Sequence, residues 1–136
     1  MQVSTKKYSL LLIDKDPFLL EMYSRKFEEA GFNVATRLRT DNDDVDIVDT
    51  VCTLNPDVVI TEVTLRKKDG FDYIQLLKND SRTKKIPVIV LTNDLVDVGS
   101  TWAQLLGASG YIIKAYEQPQ EIVEKVQHFL QTQNHN

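Results

Sequence analysis

Four apolar stretches of the chain each end in a polar side chain that could take part in chemistry. LLLID ends in Asp14, VVITE in Glu62, VIVLT in Thr92 and YIIK in Lys114. In α/β sheets, functional groups collect at the carboxyl ends of parallel strands. The four ends would therefore bring two carboxylates, a hydroxyl and an ammonium into one pocket. The carboxylates and hydroxyl can accept hydrogen bonds there, whereas the ammonium can only donate.

The elements that must position these side chains alternate between strand and helix along the whole chain. Short apolar runs predict five strands, over 8–13, 32–38, 58–61, 87–91 and 111–113. The first run is typical of a central parallel strand that is buried on both faces. The second is more polar and suits the edge of a sheet.

Apolar residues at helical spacing predict a helix after each strand. The first helix has Asp16 as its N-cap, Pro17 at its first position and Gly31 just past its end. Phe18 and Phe27 are among its regularly spaced apolar residues. The other four helices are predicted over 44–54, 71–78, 95–106 and 119–131.

This order of elements predicts one α/β domain. Five βα units with short connections and right-handed crossovers give a doubly wound parallel sheet, (βα)5. Its strand order would be 2-1-3-4-5, the flavodoxin-like arrangement. Strand one then lies beside strand three, which makes Asp14, Lys15 and Glu62 neighbours. The domain is expected over 1–131, with a polar tail over 132–136.

Composition excludes several classes of function. The 136 residues are 42% hydrophobic and 26% charged, with a net charge of −4, which argues against a nucleic-acid surface. The single cysteine, Cys52, excludes an internal disulfide and any cysteine-cluster metal site. No apolar run approaches the ~18 residues that span a membrane, and the N-terminus does not resemble a signal peptide. We therefore expect a cytoplasmic location.

Four motifs, in order, resemble the receiver domains of two-component response regulators. LLIDKDP is similar to the family's acid-rich first loop, and PDVVITEVTLRKKDGFDYI to its phosphoacceptor strand and following loop. IPVIVLTND carries the switch threonine at Thr92, and GASGYIIKAY carries the lysine at Lys114 with the switch aromatic at Tyr111. The resemblance covers about 8–130 and implies a signalling domain without enzymatic activity.

The resemblance also implies a magnesium site, and here the chain departs from the family. Two acids after strand one, the acceptor aspartate and a backbone carbonyl two residues beyond it map to Asp14, Lys15, Glu62 and Thr64. An ammonium has no lone pair for a metal. Asp14 and Glu62 carry two negative charges, and Lys15 and Lys114 carry two positive ones, so the formal charges of the pocket sum to about zero. Little excess negative charge is then left for Mg²⁺ to neutralise. We therefore expect no metal, or weak Mg²⁺ binding at Asp14, Glu62 and Thr64.

Two substituted positions leave alternatives open. Lys15 either places its ammonium where the cation would lie or turns it toward solvent. Glu62 either imitates the phosphorylated state by holding Thr92 and Lys114, with Tyr111 packed inward, or forms an inert ion pair.

The family's usual proline after the lysine is Ala115 here. Without it, a cis peptide would cost about 3 kcal/mol, so we expect a trans bond or a strained cis bond.

The predicted fourth helix carries a second apolar stripe, formed by Val98, Trp102 and Leu105. Receivers dimerise or bind partners through the face made by the fourth helix, fifth strand and fifth helix. The stripe is therefore a candidate interface, and the alternative is that Trp102 lies flat over its neighbours.

We interpret the chain as a stand-alone receiver-like signalling domain in a phosphorelay. Glu62 and Lys15 predict that it works without phosphorylation. It would contact a histidine kinase, a downstream effector or a second copy of itself, but neither nucleic acid nor membrane. The first alternative is a conventional Mg²⁺-dependent phosphoacceptor. The second is a flavin- or nucleotide-binding flavodoxin-like domain, which the loop Asp14–Pro17 does not favour because it has no glycine-rich phosphate cradle.

Overall fold

The computed structural model describes residues 7–40, 46–63, 71–92 and 107–133. Its strands are β1 (Ser9–Asp14), β2 (Asn33–Leu38), β3 (Val58–Glu62), β4 (Val88–Thr92) and β5 (Gly110–Ile113). Its helices within these ranges are α1 (Pro17–Glu29), α2 (Ile47–Leu54), α3 (Phe71–Asn79) and α4 (Pro119–Gln133), with a short 3₁₀ turn at Lys114–Tyr116. The helix predicted over 95–106 lies outside the described residues.

The five strands form one parallel sheet in the order β2-β1-β3-β4-β5, which confirms the predicted topology. The interior strand β1 pairs with β2 on one side and β3 on the other. The more polar strand β2 lies at an edge, as its sequence indicates. Parallel pairing brings the carboxyl ends of all five strands to the same side of the sheet.

Two hydrophobic clusters cover the two faces of the sheet. Successive residues of β1 pack on opposite faces of the sheet. Leu10 and Leu12 belong to the first cluster, and Leu11 and Ile13 belong to the second. The first cluster takes its helical side chains from α1 and α4, the second from α2 and α3. All four β1 side chains are 1% exposed. The apolar run of β1 is therefore a consequence of burial on both faces.

Helix α1 starts and stops where the sequence predicts. Asp16 is the N-cap, and its side chain accepts hydrogen bonds from the backbone N–H groups of Phe18 and Leu19. Just past its end, Gly31 adopts φ +98°, a conformation that favours glycine. These signals fix the angle at which the helix leaves β1, and with it the loop that follows Asp14.

One sequence expectation for α1 needs correction. Phe18 belongs to the regularly spaced apolar set, yet its side chain is 83% exposed, whereas Phe27 is fully buried. The two are nine positions apart, which at 3.6 residues per turn places them about 180° apart around the helix. Leu20, Tyr23 and Phe27 form the buried face instead.

Within the described ranges, no helix combines the length and apolar character needed to cross a lipid bilayer.

Candidate functional site

The predicted pocket lies where β1 and β3 end side by side. The last paired residues of these strands are Ile13 and Thr61, so Asp14 and Glu62 leave the sheet next to each other. On the other side of β3, Glu62 is in register with Leu91, and Thr92 follows at the end of β4. The structure thus brings both carboxylates and the threonine to one edge of the sheet.

Lys114 reaches this edge from the outermost strand. It follows β5 directly, and its Nζ lies 3.4 Å from Oδ2 of Asp14. The two side chains are only 5% and 3% exposed. Two strands, β3 and β4, separate β5 from β1, a span of about 14 Å at ordinary strand spacing. The side chain of Lys114 therefore extends toward Asp14 across the ends of β3 and β4, which carry Glu62 and Thr92.

Asp14 is held by its own loop as well as by Lys114. Its Oδ1 accepts a hydrogen bond from the backbone N–H of Asp16 at 2.9 Å. Its backbone carbonyl accepts one from the N–H of Arg39, also at 2.9 Å, which ties the loop after β2 to the pocket. These contacts orient Oδ2 toward the ammonium. The carboxylate therefore has a fixed position rather than a set of rotamers.

The charge of Asp14 also acts on a neighbour that sequence patterns did not single out. Burial raises the pKa of Tyr23, and the negative charge of Asp14 raises it further. Tyr23 is on the buried face of α1, 4% exposed, and belongs to the first core cluster. Its apolar spacing predicted the burial but gave no sign of the nearby carboxylate.

Glu62 and Thr92 are both buried, at 7% and 0% exposure. Tyr111, on β5, is partly buried and packs against the second hydrophobic cluster, and its hydroxyl oxygen is inaccessible to solvent. The aromatic ring thus lies inward. The peptide bonds that the structure describes include no cis bond, so Lys114–Ala115 is trans.

The remaining predicted residues are Lys15, which the structure describes, and four residues that lie outside the described ranges. Lys15 is exposed at the rim of the pocket, while its neighbour Asp14 is buried. Thr64 and the proposed interface residues Val98, Trp102 and Leu105 lie outside the described residues. Asp14, Glu62, Thr92 and Lys114 are therefore the predicted pocket residues that the structure brings together.

Two exposed aromatic side chains at the same edge of the sheet were not identified from the sequence as candidate functional residues. Phe18 follows the loop after Asp14 and is 83% exposed, and Tyr116 follows Lys114 and is 67% exposed. The helical wheel puts Phe18 opposite Phe27, but the wheel alone does not decide which of the two faces solvent. Nothing in the sequence pattern marks Tyr116, because its exposure depends on the 3₁₀ turn.

We expect Lys114→Met to lower the free energy of unfolding by about 3–5 kcal/mol, because it leaves the buried charge of Asp14 uncompensated. Denaturant unfolding measures the loss. Adding Asp14→Asn should recover part of it, since the unpaired charge is then removed.

Lys125→Met is the matched control. Lys125 forms an ion pair with Glu117, but its side chain is 55% exposed, so its loss should cost less than about 1 kcal/mol. Equal losses in the two lysine variants would contradict a special role for the buried pair.

Solved structures with this fold include signalling receivers. The chemotaxis protein CheY4 of Vibrio cholerae matches with a TM-score of 0.76 and 21% identity, covering 90% of this chain and 98% of that one. A putative response regulator from Chloroflexus aurantiacus matches with a TM-score of 0.77 and 26% identity, covering 92% and 98%.

Curated relatives include DNA-binding response regulators, of which this chain spans only a part. The DNA-binding response regulator MtrA of Mycobacterium tuberculosis is 30% identical over 126 residues, covering 91% of this chain and 51% of MtrA. The DNA-binding dual master transcriptional regulator RpaA of a Synechocystis strain is 35% identical over 83 residues, covering 61% and 33%.

The sequence model of the response regulator receiver domain matches residues 10–127, most of the chain. Together with the parallel five-stranded sheet and the pocket at its carboxyl edge, this match shows that the chain belongs to the response regulator receiver domain family of two-component signalling.

Proposed function

We propose that this receiver domain transmits a signal without accepting a phosphoryl group, through contacts with a protein partner. One observation carries the proposal. The acceptor position holds a buried glutamate, Glu62, beside a Lys114–Asp14 ion pair that already neutralises the neighbouring carboxylate.

The length of Glu62 supports the first half of the proposal. Phosphoryl transfer depends on an attacking oxygen held in line with the donor phosphorus. The extra methylene of glutamate moves the carboxylate oxygens by roughly one C–C bond, about 1.5 Å. A misplacement near 1 Å can cost about a hundredfold in rate. Because Glu62 is buried at a strand end, its backbone has little freedom to compensate for the longer side chain.

The charges of the pocket support the same conclusion for magnesium. Mg²⁺ is bound in octahedral geometry through carboxylate and phosphate oxygens. At this site Asp14 is already paired with Lys114, and Lys15, an exposed residue, stands in place of an acid. Among the described residues, no three His, Cys, Asp or Glu side chains are grouped so as to hold a metal ion. The residues present do not fit the family's cation site.

We propose further that the negative charge of Glu62 keeps the domain in its switched arrangement. The observation in favour is the packing of Tyr111, whose ring lies against the second cluster with a buried hydroxyl. Thr92 is fully buried between the two. A charge-assisted hydrogen bond is worth about 1.5–3 kcal/mol, enough to bias an equilibrium between two arrangements of similar free energy.

The partner is proposed to bind at the carboxyl edge of the sheet. Receiver domains interact with histidine kinases and downstream effectors, and here Phe18 and Tyr116 expose two aromatic rings beside the pocket. Aromatic residues supply much of the binding free energy at protein interfaces. We therefore propose a kinase or effector as the partner and these rings as anchors.

The central test is treatment with a small-molecule acyl phosphate and Mg²⁺, followed by intact-mass measurement. We expect no mass increase corresponding to a phosphoryl group. The double variant Lys15→Asp with Glu62→Asp restores the family's residues at both positions and should be labelled. Labelling of the natural sequence that is lost in Glu62→Gln would overturn the proposal.

A second experiment tests the switched arrangement. Glu62→Gln removes the charge at almost constant size, so the ring of Tyr111 should become more exposed, as measured by NMR of selectively labelled tyrosines. Glu29→Gln, on the exposed surface of α1, is the control and should change nothing. If Tyr111 is equally buried in both variants, Glu62 is an inert ion-pair partner.

A further inference from the structure

A groove between α2 and α3 lies apart from the pocket that carries the proposed function. Its volume is about 430 Å³, within the range of protein binding clefts, roughly 300–1,000 Å³. Its lining residues are Val48, Asp72, Gln75, Leu76, Asn79 and Asp80. Leu76 is 39% exposed, which is unusual for a large apolar side chain between two helices. We call the two apolar lining residues, Val48 and Leu76, the floor of the groove and the four polar ones its rim.

The rim is acidic. Arg82 bridges Asp80 of the rim, with Nη2 at 2.9 Å, and Asp49 on the neighbouring exposed surface of α2, with Nη1 at 3.4 Å. Asp72 adds a third carboxylate on the exposed side of α3. Among the described side chains that line or bridge the groove, three carboxylates therefore face one guanidinium. Arg82 holds the pKa of Asp80 at about 2, so this carboxylate stays charged at any physiological pH.

The lysine of α3 does not offset this charge at the rim. Lys78 turns its Nζ toward two backbone carbonyls, those of Lys84 at 3.1 Å and Ile86 at 2.7 Å. Burial lowers the pKa of its ammonium. Its positive charge therefore serves the turn between α3 and β4, and the groove keeps its excess of negative charge.

We propose that the α2–α3 groove binds a basic amphipathic helix of a protein partner. Two adjacent helices leave a furrow that accepts a third, whose apolar residues at i, i+3, i+4 and i+7 contact the floor. Leu76 and Val48 supply the apolar contact. The carboxylate of Asp72 matches a Lys or Arg side chain flanking the apolar stripe, and the excess of carboxylates over the guanidinium of Arg82 favours basic residues there. This surface is independent of the phosphoacceptor pocket, so the two proposals stand or fall separately.

The test uses a synthetic helical peptide of Leu and Lys, about 18 residues or five turns long, with leucines on one face. Added to the isotope-labelled protein, it should shift the amide NMR signals of Val48, Gln75, Leu76 and Asn79. Binding should weaken as salt is added, because part of the attraction is between exposed charges. The same peptide with Glu in place of Lys should not bind.

Two matched pairs of variants separate the groove from general effects. Leu76→Ala should weaken binding about fivefold by removing apolar contact, whereas Leu54→Ala, another exposed leucine, should not. Asp72→Lys should weaken it about tenfold, whereas Glu124→Lys on α4 makes the same change in net charge away from the groove and should have little effect.

Two results would overturn the proposal. Equal weakening by Asp72→Lys and Glu124→Lys, or peptide-induced shifts that lie outside the groove, would mean that the peptide senses only the overall negative charge. Groove signals that move with protein concentration in the absence of peptide would identify a second copy of the chain as the occupant instead.

Discussion

The balance of charge at the carboxyl edge of the sheet governs this domain. Parallel pairing forces the ends of all five strands to one side, and Asp14, Glu62 and Lys114 are buried there. Burying an isolated charge is costly, so the carboxylate of Asp14 needs a cation. In this chain the cation is Lys114, one hundred residues away in sequence, at 3.4 Å. The pair also connects the edge strand β5 to the interior strand β1.

The two substitutions change what that edge can do. An aspartate at position 62 and an acid at position 15 would leave a surplus of negative charge, which a divalent metal neutralises. With Glu62 and Lys15, the formal charges of the four charged pocket residues sum to about zero, so the surplus disappears. The same sheet, loop and lysine that serve phosphoryl transfer in a receiver then form a balanced set of ions. We therefore propose that signalling here depends on surfaces, those at Phe18 and Tyr116 and in the α2–α3 groove, rather than on a transferred group.

Much of this arrangement could be predicted from the sequence, for physical reasons. A parallel strand buried on both faces must be a continuous apolar run, and the run from Leu10 to Ile13 is one. Asp16-Pro17 and Gly31 define the ends of α1 because few other residues suit those backbone positions. Strand order follows from chain connectivity, and it is enough to predict that Asp14 lies beside Glu62.

Other features depend on three-dimensional packing and could not be predicted. Periodicity suggested an apolar helix face that included Phe18, but only the position of the core decides which side is buried. The sequence left open whether the ammonium of Lys15 lies in the pocket or faces solvent, and the exposure of this residue beside the buried Asp14 depends on how the loop packs. The interface predicted at Val98, Trp102 and Leu105 stays a prediction, since it lies outside the described residues.

The most direct measurement of the charge balance is a magnesium titration of the natural chain and of Lys15→Asp, followed by NMR of the amides next to Asp14 and Glu62. Our account predicts no saturable binding to the natural chain at low millimolar Mg²⁺ and clear saturation in the variant, because the variant restores the second acid and removes an ammonium. Tight, saturable binding to the natural chain, unchanged by Lys15→Asp, would contradict it.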